Sequence, residues 1–167
     1  EITNLLNSFS EFARMPDPDF INTDIVDLID KAILPYKTNY KQISITTNSS
    51  LKNNVIKCDK NQIFRLFTNL VKNSVESIVE KNENKKKIQI LIKDNDNSVD
   101  FLFQDNGIGF EPDQLSNISE PYFTTKKNGS GLGLSIVSKI IFEHKGNINF
   151  YNGENGANIH FTFNKYL

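Results

Sequence analysis

The sequence predicts an α+β fold, a mixed β-sheet covered on one face by helices. Three observations lead there. Short alternating runs pair locally as strands, 88–93 with 99–103 and 147–151 with 157–163. Longer segments between them carry apolar residues at helical spacing. Five of the eight glycines, Gly107, Gly109, Gly129, Gly131 and Gly133, bracket one irregular stretch that separates the strands from the last helix.

In chain order, residues 1–15 read as a short helix. Its Ile2, Leu5, Phe9 and Phe12 make a coiled-coil-like seam that needs a partner. Pro16 and Pro18 stop it and stiffen the joint, so the boundaries fall at 1–16, a linker with a first strand at 17–23, and a main domain over 24–167. Asn22 or Thr23 is the expected cap of a helix with Ile25, Leu28, Ile29, Ala32 and Ile33 on one face, bent near its end by Pro35. Residues 42–46, with Ile43 and Ile45 on one side, and 55–57 read as strands. Residues 59–80 form the longest helical pattern, with Ile63, Leu66, Phe67, Leu70, Val71 and Ser74 together. The stretch 106–130 reads as irregular, 132–144 as a helix, and 152–156 as the turn between the closing strands.

Composition narrows the class. Of 167 residues, 38% are hydrophobic and 23% charged, as in ordinary soluble domains. A net charge of -1 argues against non-specific nucleic-acid binding. The abundance of Asn, Lys and Ile reads as coding bias from an AT-rich genome. Cys58 is the single cysteine, which excludes an internal disulfide and a cysteine-based metal site and fits a reducing compartment. No apolar run reaches membrane-spanning length. The chain begins at Glu1 and reads as a piece of something longer, with room for a membrane segment elsewhere.

Three segments carry chemistry. Gly129-Ser130-Gly131-Leu132-Gly133-Leu134 runs into a helix, where unpaired N–H groups and the positive dipole end suit a phosphate chain. A flexible surface loop is the plainer alternative. Asp105 follows an apolar strand and precedes Asn106-Gly107-Ile108-Gly109. A carboxylate there accepts from the exocyclic amine of adenine, worth about 1.5–3 kcal/mol, whereas guanine would present a carbonyl. An ordinary Asp-Asn-Gly turn is the alternative. Asn69 and Asn73 stack on one helical face, and a side-chain carbonyl is a hard ligand of the kind Mg²⁺ accepts. In an Asn-rich chain the pair is equally read as incidental.

Together these segments resemble the histidine kinase ATPase domain of the GHKL superfamily, which includes DNA gyrase B, Hsp90 and MutL. Asn69 to Ser77 resembles the N box, and Asp105 to Gly109 the first glycine box. Glu120 to Lys126 resembles the F box, Gly129 to Leu134 the second glycine box, and Gly156-Ala157 a late glycine element. The resemblance covers 24 to the end and implies a two-layer Bergerat-type sandwich with ATP between the helices and a mobile lid. It implies that Asn73 binds Mg²⁺, that Asn69 lies beside the phosphates, and that Asp105 reads adenine. Gly107 and Gly109 would shape the base pocket and Phe123 anchor the lid. Thr125 and Lys126 would approach the phosphates, with Asn69 and Lys126 serving catalysis. Gly129, Gly131, Leu132 and Gly133 would wrap the triphosphate.

Hydrolytic members of the superfamily carry a glutamate base where this chain has Asn69. An amide cannot take a proton from water, which favours phosphoryl transfer over hydrolysis. Glu76 departs from the basic residue common at that position, and Lys72 either compensates or is a solvated surface lysine. Phe9 to Pro16 resembles the end of the second dimerization helix of NtrY-like nitrogen-regulation sensors. The resemblance therefore implies transfer of the γ-phosphate to a histidine on a hairpin absent from this chain, and onward to a response regulator. It further implies a homodimeric full-length protein anchored at the inner membrane with this domain in the cytoplasm, and a monomeric isolated chain. A nucleotide-binding module without transfer activity is the alternative. A serine-directed anti-sigma kinase is disfavoured by the seam at 1–15. Neither His144 nor His160 combines a following acidic residue with the helical context expected of a phospho-acceptor, and His144 reads as a helix-end residue favoured by the dipole.

Overall fold

A computed structural model describes residues 15–82, 84–124 and 131–165. The seam at Ile2, Leu5, Phe9 and Phe12 lies outside them. The described elements are β1 (Ile21–Asp24), α1 (Ile25–Asn39), β2 (Ser44–Ser49), β3 (Val55–Cys58), α2 (Lys60–Lys81), β4 (Lys87–Asp94), β5 (Ser98–Asp105), α3 (Gly133–Glu143), β6 (Ile148–Asn152) and β7 (Ala157–Asn164). Strands β2, β4, β5, β7 and β6 form one sheet in that order. The β2–β4 pair is parallel and the others are antiparallel, so the sheet is mixed as expected. Strand β1 pairs with β3 as a separate antiparallel ribbon.

Alternation sets which face of the sheet is covered. Ile88, Ile90 and Ile92 of β4, Val99, Phe101 and Phe103 of β5, and Ile159, Phe161 and Phe163 of β7 are buried. Gln89, Gln104 and Asn158 between them are not. The three helices cover the apolar face, with α2 between α1 and α3. Phe67 of α2 packs against both Phe101 and Phe161, which stack on each other at 4.9 Å. Each such ring contributes about 1.5–3 kcal/mol through burial.

Helix ends explain the boundaries. The cap of α1 is Asp24, whose carboxylate accepts the Asp27 N–H, and neither Asn22 nor Thr23 takes that role. Both belong to β1, whose pairing turns Thr23 into the core, where its hydroxyl donates to the Ile21 carbonyl. Pro35 lies inside α1, which runs on to Asn39. The strand expected at 42–46 starts two residues later, because Ile43 is held in the preceding turn by the Tyr40 carbonyl. Asp59 caps α2 by accepting the Gln62 N–H at 2.9 Å, and Asn82 ends the helix at φ 52°.

His144 corrects an expectation. It is fully buried, with Phe20 edge-on at 5.2 Å and Phe163 at 5.1 Å. Its Nδ1–H donates to the Ile140 carbonyl at 2.8 Å, and its Nε2 accepts the Asp59 N–H at 3.2 Å. A ring that accepts at Nε2 is neutral. Burial holds its pKa below the ordinary 6.5, outweighing the hydrogen bond to Ile140 and the nearby Asp59 and Glu143. The ring therefore acts as a neutral link between the end of α3 and the start of α2, not as a cation on the dipole.

Residues 16–19 join the same place. Asp19 N–H donates to Asp59 Oδ2 at 2.8 Å, and Gln62 Nε2 donates to the Pro16 carbonyl at 3.3 Å.

Candidate nucleotide site

The sheet and α2 bring distant motifs together. Asp105 ends β5, an interior strand of the sheet, and faces α2. Its Oδ1 accepts from the Gly107 N–H at 2.9 Å and the Ala157 N–H at 3.3 Å. Its Oδ2 accepts from the Ser74 hydroxyl of α2. Burial pushes the Asp105 carboxyl above its ordinary range, against the lowering by Ser74, the two amides and the ammonium of Lys81. These donors are what the charged form requires once it is taken out of water.

Gly107 is buried directly against α2. A Cβ there would lie 2.2 Å from Ser77 Oγ and 2.9 Å from the Ser77 carbonyl carbon, so only glycine fits. Ser77 Oγ in turn accepts the Ile108 N–H at 2.9 Å. Gly109 has φ +78°, and the backbone beyond it is pinned by Asn152. That side chain accepts the Phe110 N–H and donates to the Phe110 carbonyl, both at 2.8 Å.

The other end of the site lies one turn earlier on α2. Gly133 opens α3 with its Cα facing both asparagines, and a Cβ built there would sit 3.3 Å from Asn69 Oδ1 and 3.5 Å from Asn73 Nδ2. Asn69 Nδ2 donates to the Arg65 carbonyl at 2.8 Å, which leaves its oxygen toward Gly133. The Asn73 amide has no hydrogen-bond partner among the described residues. No side chain caps α3 and its first turn holds no acid. Leu132, just before it, is buried. Gly131 has φ +67°, and a Cβ on it would lie 2.4 Å from the Tyr122 carbonyl carbon. Tyr122, in the segment resembling the F box, therefore abuts Gly131 of the second glycine box. Phe123 there is half-buried, its N–H donating to the Glu120 carbonyl.

Nine of the twelve expected site residues fall within the described residues, and Thr125, Lys126 and Gly129 lie outside them. Asn69, Asn73 and Gly133 converge, Asp105 and Gly107 converge, and α2 joins the two groups. Lys72 and Glu76 are exposed on α2. Ser77 and Asn152 drew no separate notice in the sequence, and Ser74 was noticed only as part of an apolar face. A serine beside Asn73 on a buried helical face was the available signal, since a buried hydroxyl requires a partner. A concavity of about 400 Å³ lined by Asn22, Lys52, Asp94 and Lys165 lies apart from these motifs. Another of about 390 Å³ reaches Asp105 from the side of Gln89, Gln104 and Asn158.

A two-layer sandwich with paired asparagines, an acid at a strand end and glycine turns around one helix defines an ATPase-type nucleotide domain. Residues 58–167 match the histidine kinase-, DNA gyrase B- and HSP90-like ATPase family, and the chain belongs to it. A sensor histidine kinase described as NtrY-like, from Rickettsia bellii, is 33% identical over 157 residues, 94% of this chain and 25% of that protein. Nitrogen regulation protein NtrY of Azorhizobium caulinodans is 27% identical over 161 residues, 93% of this chain and 20% of that protein. The chain thus spans a quarter or less of these relatives. The nucleotide-free catalytic domain of histidine kinase ThkA superposes with a TM-score of 0.78 at 30% identity, over 88% of this chain and 96% of that one. Among the described residues no helix is long and apolar enough to cross a membrane.

Proposed function

We propose that this chain is the catalytic domain of a two-component sensor histidine kinase. It binds Mg-ATP and directs the γ-phosphate to a histidine on a separate dimerization hairpin. That histidine then passes the phosphate to a response regulator. The carrying observation is that α2 faces Gly133 with Asn69 and Asn73 and, through Ser74, holds Asp105.

Each residue then has a physical task. Asp105 accepts the adenine amine. Gly107 and Gly109 let the backbone lie against the base, and Phe123 anchors the lid. The start of α3, with Gly131, Leu132 and Gly133, turns N–H groups toward the phosphates. Gly129, Thr125 and Lys126 complete that wrapping, Lys126 as a cation on the transferred phosphoryl group. Asn69 orients the phosphates and, lacking a basic oxygen, does not activate water, so transfer to a protein acceptor is favoured over hydrolysis.

The residues also fit Mg²⁺. Among the described residues no group of three His, Cys, Asp or Glu could cage a metal. The Asn73 amide, without a hydrogen-bond partner among the described residues, suits an ion that takes one protein oxygen and completes its shell with phosphates and water. Bound there, Mg²⁺ would neutralise phosphate charge. Both relatives are much longer than this chain, and we read the full-length protein as a membrane-anchored homodimer.

Calorimetric titration tests the proposal: ATP with and without Mg²⁺, beside GTP and Asp105→Ala. ATP binding that Mg²⁺ strengthens, and that Asp105→Ala and GTP abolish, is the expected result. Absence of ATP binding at millimolar concentration overturns the reading. Labelling of a supplied hairpin with γ-phosphate separates transfer from binding alone.

A further inference from the structure

The first glycine box is fastened to α2 at two points, and one of them bears on the ligand. Ser74 is buried within a mostly apolar helical face, and its hydroxyl donates to Asp105 Oδ2. Ser77, one turn on, accepts the Ile108 N–H and lies tightly under Gly107. A carboxylate oxygen offers about two acceptor positions. Oδ1 has both filled, by Gly107 N–H at 2.9 Å and Ala157 N–H at 3.3 Å. Oδ2 has Ser74 in one and keeps the other. The hydroxyl thereby decides which lone pair of Asp105 remains for a ligand and where it points. Ser74 follows Asn73 in the sequence, so the same turn of helix fixes the acceptor at the base end and the amide at the phosphate end.

We infer that Ser74 is a positioning residue for purine recognition, orienting Asp105 so that the remaining acceptor position of Oδ2 meets a 6-amino group. The inference rests on Asp105 being the base acceptor. It separates recognition of the amine from recognition of the rest of the nucleotide. Loss of the Ser74 hydroxyl leaves the residues assigned to the phosphates in place, and it removes only the alignment of one hydrogen bond.

The test is a ligand-resolved comparison. Equilibrium affinities for ATP and for purine riboside triphosphate, which has hydrogen in place of the 6-amino group, are measured for wild type, Ser74→Ala and Ser74→Cys. Cysteine keeps the volume but is a weak donor, so a second variant stands if the first does not fold. Wild type is expected to prefer ATP, and both variants to lose about tenfold in ATP affinity while binding the analogue within about twofold of wild type. If wild type prefers ATP and the variants keep that preference, or lose both ligands equally, the role of Ser74 is overturned and the reading of Asp105 stands. If wild type binds both ligands equally, the reading of Asp105 itself fails.

Discussion

Removing the ring of His144 should both destabilise the domain and change how its stability depends on pH. In the fold the ring is neutral, held by the Asp59 N–H at Nε2 and by the Ile140 carbonyl at Nδ1. Its folded pKa lies below 6.5 because burial disfavours the cation. The unfolded chain takes up that proton near pH 6.5 and the folded chain does not. The contribution is thus fully present above 6.5 and is lost as pH falls from there toward the folded pKa. Within that window the free energy of unfolding should fall by up to about 1.4 kcal/mol per pH unit. His144→Gln should abolish this slope and cost about 2–5 kcal/mol near neutrality, through two lost hydrogen bonds and the contacts with Phe20 and Phe163. Urea unfolding followed by circular dichroism, from about pH 7.5 to about pH 5.5, reads both quantities. A His160→Gln background leaves His144 as the sole histidine. Equal slopes in that background with and without His144→Gln would refute the reasoning. Asp105 acts with the opposite sign at lower pH. Its raised folded pKa gives a contribution fully present below the ordinary 3.8 and lost as pH rises through the folded value.

Two further outcomes follow from close contacts in the site. Gly107→Ala should cost about 1–3 kcal/mol in urea unfolding and weaken ATP binding. Ser77→Ala should not rescue it, because the Ser77 Cβ would still lie 2.7 Å from the new methyl group. Asn152→Ala should leave the Phe110 amide without its acceptor, and hydrogen exchange at that amide should accelerate by roughly tenfold, equivalent to about 1.4 kcal/mol of local opening. Unchanged exchange would mean that the loop beyond Gly109 is held by other contacts.

The sequence was most legible where a pattern is local. The alternation in β4, β5 and β7 and the apolar stripe of α2 come from chain geometry of period two and period 3.6, which one segment expresses without help from another. The caps were less legible. Asn22, Thr23 and Asp24 are all able to cap a helix, and the choice of Asp24 depends on β1 pairing with β3, a contact between residues far apart in sequence. The dipole reading of His144 failed for a similar reason. A histidine at a helix end is favoured as a cation only when solvated, and solvation here is removed by Phe20 and Phe163 from elsewhere in the chain.

The sequence alone thus determined the kind of fold and supplied an inventory of candidate site residues. Glycine spacing, the acid at a strand end and stacked asparagines are properties of neighbouring residues. Tertiary structure decided how that inventory is held. Ser74 meets Asp105 across 31 positions, Asn152 meets Phe110 across 42, and Asp59 meets His144 across 85. A hydroxyl, an amide and an imidazole each accept many partners, and only the packing of α2 against the sheet and α3 selects which one each finds.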